Sequence, residues 1–173
     1  MPESTIGDAA GQRLRAATDD IIVEVRRMPA ALITWIPGEG VWSVMDNLCH
    51  IREFVPFWTS EVLRIIGTPT DLWGRDHTDA GRLAAVTGTA GYELNAVLHD
   101  ITTAVGAAAS TLANLSAADL AVEATSRNPR WGVKPASFVV EHLLLQHVEK
   151  HLGQIRRNVS QYREKAGHGS GQA

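Results

Sequence analysis

The chain is poor in the residues that most often announce a function. Cysteine occurs once, as Cys49, which excludes an intramolecular disulfide and any zinc site built from several thiolates. Neither sign of charge is in large excess: 16 Lys and Arg stand against 19 Asp and Glu, a net charge of -3. Nucleic-acid binders usually show a basic surplus or stripe, whereas here Arg26-Arg27 and Arg156-Arg157 are only pairs among scattered cations. No nucleic-acid partner is expected. No apolar run approaches the ~18 residues of a membrane span. The opening MPESTIGDAAG does not pair a basic segment with an apolar one, so no signal peptide is expected and the expected location is the cytoplasm. Several catalytic signatures are missing too. No Glu is followed by His three residues later, as a ferritin-like di-iron bundle requires. The zinc-protease H-E-x-x-H and the G-x-S-x-G elbow of serine hydrolases are both absent.

What remains is helical periodicity. A chain of 173 residues, 45% hydrophobic and 20% charged, suits one soluble globular domain. A first helix is predicted from about Asp8 to Arg27, with Leu14, Ala17, Ile21 and Val25 on one face, ended by Met28-Pro29. Ser43 and Asp46 read as a capping box that starts a second helix. Its stripe is Leu48, Ile51, Val55, Trp58, Val62 and Ile65, with Pro56 a candidate kink. A third helix is predicted over Ala90 to Leu115 and a fourth over Ala136 to Tyr162. Two long connections, Gly67 to Gly88 and Ser116 to Pro135, separate these helices, and no strand is expected. The polar tail from Lys165, which includes His168, is expected to fray, so the domain is placed at 1–164 and the tail at 165–173. The expected fold is all-α, a four-helix bundle whose long connections favour a crossover. Phe54, Phe57 and Trp58 give the second helix an apolar surplus, from which a homodimer is expected.

One stretch of the fourth helix stands out: QHVEKHLGQIRR, Gln146 to Arg157. Residues four apart on a helix differ by only about 40° in direction, so His147 and His151 point the same way. Val140, Leu143 and Leu144 precede them on that side, which turns the pair inward. A buried imidazole without a partner costs on the order of 1–3 kcal/mol. Ordinary hydrogen bonding to neighbours would satisfy the pair, and so would a metal ion. Two ligands are too few for a metal site. His50, two turns into the second helix on the face of Phe54 and Phe57, is the candidate third. It also reads as a satisfied core histidine, and both readings stay open. Three neutral imidazoles would leave a coordination position free, as catalytic sites do, and they suit zinc, nickel or iron alike. Gln154 and Asp46 are candidates for orienting these rings, Asp46 also being the cap. His142 points about 140° away from His147 on an ideal helix.

WSVMDNLCHI and QHVEKHLGQI together resemble the DinB/YfiT-like superfamily of four-helix bundles. There a Trp-Ser pair opens the second helix with a histidine two turns on, and H-x-x-x-H precedes a Gly-Gln pair in the fourth. The resemblance runs from about Leu14 to Tyr162; Leu152 stands where many members carry arginine. It implies a mononuclear divalent-metal site at His50, His147 and His151. It further implies an enzyme acting on a small molecule, foremost a transferase or isomerase using a low-molecular-weight thiol of the mycothiol or bacillithiol kind. A metal-dependent hydrolase and a non-catalytic, metal-stabilised binding or dimerisation module are the alternatives.

Overall fold

The structure is a computed structural model that describes residues 5–169. Its first helix, α1 (Ile6–Val25), starts at a Thr5/Asp8 capping box and buries Leu14, Ile21 and Val25. A short α2 (Ala30–Ile33) follows. The Ser43/Asp46 capping box does open the second long helix, α3 (Val44–Gly67), which runs on through Pro56. After the short α4 (Ala80–Ala85) comes α5 (Leu94–Ala113), later to start and earlier to end than its periodicity suggests. Next are α6 (Ala117–Leu120), β1 (Glu123–Thr125), β2 (Val133–Pro135) and α7 (Ala136–Phe138). A π-helical turn (Val139–Leu145) joins α7 to α8 (Gln146–Gly169). The tail expected to fray from Lys165 is helical as far as Gly169; residues 170–173 and the side chain of His168 lie outside the described part.

The four long helices form a bundle with a crossed order. α1 packs on α5 and α8, and α3 packs on α5, α8 and the π turn. Helices consecutive in the chain, α1 and α3, thus stand across the diagonal from one another. The two long connections are what such an order needs, and neither is structureless. Contrary to the expectation of no strand, β1 and β2 pair antiparallel, with Ala124 opposite Lys134. Trp73, from the first connection, joins them: its backbone N–H donates to Thr125 O at 3.0 Å and its indole N–H to Ala124 O at 2.8 Å. Trp73 is fully buried and stacks on Trp131 at 5.6 Å. Both connections are therefore fastened together at one side of the bundle.

The apolar surplus of α3 is spent inside the chain. Phe54 is fully buried, Trp58 nearly so, and Phe57 lies under the Arg75 guanidinium at 3.8 Å. Phe54 and Trp58 are thus not exposed for contact with a second copy, and Phe57 is half-buried.

Candidate metal centre

His50 is delivered by α3, whose start is fixed by the cap, and His147 and His151 by the first two turns of α8. The three rings meet between the helices. Their centroids lie 5.2 Å (His50 to His147), 5.1 Å (His50 to His151) and 4.9 Å (His147 to His151) apart. One ring nitrogen from each falls within 4.8 Å of the others, a group that could hold a metal ion. His50 is 2% exposed and His151 3%, while His147 is half-buried. Aromatic walls enclose them. Trp42, just before the cap, stacks parallel to His151 at 6.0 Å, and Phe54 stacks on His147 at 4.0 Å.

Burial governs the charge of the rings. It is the main cause that pushes His50 down to about 2, helped by the two other histidines, Arg82 and Arg75. It lowers His147 to about 4, against the opposing bond to Leu143. It lowers His151 to about 3, with His147 adding to the shift and Gln154 opposing it. All three imidazoles are neutral at pH 7, the state a metal ligand must have.

Their tautomers follow from their partners. His147 Nδ1 faces the Leu143 carbonyl at 3.3 Å, and a carbonyl only accepts, so Nδ1 carries the proton. His151 Nδ1 faces Asn47 Oδ1 at 2.7 Å. The Asn47 amide is oriented independently, because its Nδ2 donates to Ser43 O at 2.7 Å. Oδ1 therefore accepts from His151, which leaves His151 Nε2 a bare lone pair, buried and without a partner. His50 Nδ1 is also buried without a hydrogen bond, 3.8 Å from Glu53 Oε2, and Glu53 is clamped by Arg75 at 2.6 and 2.7 Å. The partnerless lone pair of His151 Nε2, beside a nitrogen from each of the other two rings, is what a metal ion would satisfy.

The other candidates fall into place around this centre. Asp46 spends Oδ2 on the cap and Oδ1 on the Thr89 hydroxyl. Gln154 lines the same cavity as the rings. His142 is exposed, bonded to Gln146 and packed on Phe138, away from the cluster. Cys49 is buried, and burial pushes its thiol up, which suits a structural residue. Asn47 and Glu53 were not singled out from sequence, and Trp42 only as the first residue of the resemblance motif. Asn47 had a signal, since it sits three residues before His50 and so shares its face.

All three rings line one cavity, and His50 and His147 also line a second. The first, of about 540 Å³, is walled by Trp42, Asn47, Arg82, Lys150, Gln154 and Arg157 among others. The other, of about 320 Å³, lies under the two fastened connections, beside Trp58, His77, Arg130 and Trp131. A larger depression of about 970 Å³ between Glu61, Arg64 and Asp79 does not reach the histidines. The space beside the histidines is of a size that accommodates a small molecule.

The comparisons with known proteins agree with this architecture. YfiT from Bacillus subtilis, described as "a probable metal-dependent hydrolase with an unusual four-helix bundle topology", has a similar fold: TM-score 0.72 at 13% identity, covering 96% of this chain and 93% of that one. No curated protein matches the sequence. The family model for the DinB superfamily matches residues 11–155. The chain belongs to the DinB superfamily.

Proposed function

We propose that His50, His147 and His151 hold one divalent metal ion and that the protein is a metal-dependent enzyme acting on a small molecule. The observation that supports this is the set of three neutral, converging imidazoles, with the lone pair of His151 Nε2 buried and unused. Three protein ligands leave a position open, the pattern of catalytic rather than structural zinc. When bound there, a divalent ion lowers the pKa of the thiol or water it carries. The chain's own residues supply the rest. Asn47 and the Leu143 carbonyl hold two rings in the ligating tautomer, and Trp42 and Phe54 limit water around them.

The reading carried from the sequence is a transferase or isomerase that presents a low-molecular-weight thiol at the open position. A hydrolase is the second reading, the activity that the description of YfiT gives as probable for that protein. Elemental analysis of untagged protein tests the shared premise. About one ion per chain, lost in His147→Ala, is expected; protein without metal whose stability is unchanged by that substitution would overturn it. Thiol titration of the loaded protein then separates the two. A thiol that binds and is required for turnover, consumed with an electrophile in transfer or regenerated in isomerisation, supports the first reading; turnover of esters or amides with no thiol present supports hydrolysis.

A further inference from the structure

The charge around the centre points to the class of substrate, an inference that rests on the metal reading above. The 540 Å³ cavity carries three cationic side chains, Arg82, Lys150 and Arg157, and no carboxylate in its walls. Five arginines elsewhere in the bundle are matched to acids. Arg13 pairs with Glu141 and Glu149, Arg75 with Glu53 and Asp79, and Arg156 with Glu24. Arg82, Lys150 and Arg157 have no ion pair among the described residues. Arg82 is nevertheless held in place. One Nη donates to His77 O at 3.0 Å, and its guanidinium lies 5.7 Å from the centre of the Trp42 ring.

The histidine rings and the amides of Asn47, Gln154 and Asn158 in its walls carry no negative charge either. A divalent ion would add two further positive charges. Cations gathered at a partly dry cavity raise its potential, and an anion entering it gains from every one of them. A guanidinium fork flanked by further cations fits the oxygens of a carboxylate or phosphate. We propose that the substrate bears an anionic group, carboxylate or phosphate, which Arg82, Lys150 and Arg157 bind while its reacting end lies at the three histidines.

Titration calorimetry on the full chain tests this, once after EDTA treatment and once with zinc restored, using succinate, inorganic phosphate and uncharged succinamide. At least one anion is expected to bind in both preparations at least tenfold more tightly than succinamide, and the stronger anion identifies the group. Combined Arg82→Gln, Lys150→Gln and Arg157→Gln substitutions should weaken that binding tenfold or more, while Lys150→Arg retains it. Lys150 and Arg157 are exposed and Arg82 half-buried, so the fold should survive, and circular dichroism checks it. If neither anion binds, if succinamide binds equally well, or if the neutralised variant keeps full affinity, the proposal is overturned. Metal content of the same samples fails or holds separately: anion binding without zinc uptake would sink the metal reading alone.

Discussion

Asn47 uses one amide for two tasks: Nδ2 donates to the Ser43 carbonyl and Oδ1 accepts from His151. Asn47→Ala leaves His151 Nδ1 without its acceptor and the ring free to change tautomer. Loss of such a partner typically weakens a metal site by about 10–100-fold. That loss is the expected result in a chelator competition, with Asn47→Asp much closer to wild type because an acceptor remains. Unchanged affinity in the alanine variant would show that Asn47 does not position the ring. The sequence pointed to the neighbouring Asp46 instead, for a reason that is instructive. Ser-x-x-Asp is a strong local pattern and the cap it forms is present, yet the cap consumes one carboxylate oxygen and Thr89 the other. The histidines were legible because their spacing is local to each helix. Which polar neighbour reaches them depends on how α3 and α8 are set against each other, and no local pattern records that.

Between elements, α1 and α5 approach closely at two glycines of α1. A Cβ on Gly7 would lie 2.0 Å from the Leu112 carbonyl oxygen, and one on Gly11 would lie 2.9 Å from that of Ala109. Backbone cannot yield as a side-chain tip can, so added methyl groups must push the helices apart. Overpacking costs about 1–3 kcal/mol, against a helix-propensity gain of at most about 1 kcal/mol for replacing glycine by alanine. Gly7→Ala is expected to be net destabilising in urea denaturation, and more so than Gly11→Ala. A stabilised Gly7→Ala variant would mean that α1 sits further from α5. The long helices were readable because each repeats its apolar stripe over several turns. The strands were not, since three residues are too few to display a period of two. Nor was the π turn at Val139–Leu145: widening one turn changes direction, not composition. The ideal-helix angle from His142 to His147 spans this turn, so it does not measure their real offset.

At the scale of the molecule, the crossed helix order sets α3 against α8, which the chain itself connects only through α5 and two long excursions. The three rings lie at this junction, and in the free protein they are a liability. His151 Nε2 is buried without a partner, and such an atom costs on the order of 1–3 kcal/mol. An ion bound by the folded state alone converts that cost into a bridge between the two helices. Linkage then sets the magnitude: stability rises by RT ln(1 + [M]/Kd), about 2.7 kcal/mol at a hundredfold excess over Kd and about 1.4 kcal/mol for each further tenfold. The thermal midpoint should therefore climb with free zinc and drop to a plateau in EDTA. His151→Ala should give one midpoint under both conditions, because removing a ligand removes the dependence whatever it does to the free protein. Calorimetric melting across a zinc-buffer series measures this. A wild-type midpoint indifferent to zinc and to EDTA would mean that the converging nitrogens are satisfied in some other way, and that the bundle closes over this junction without an ion.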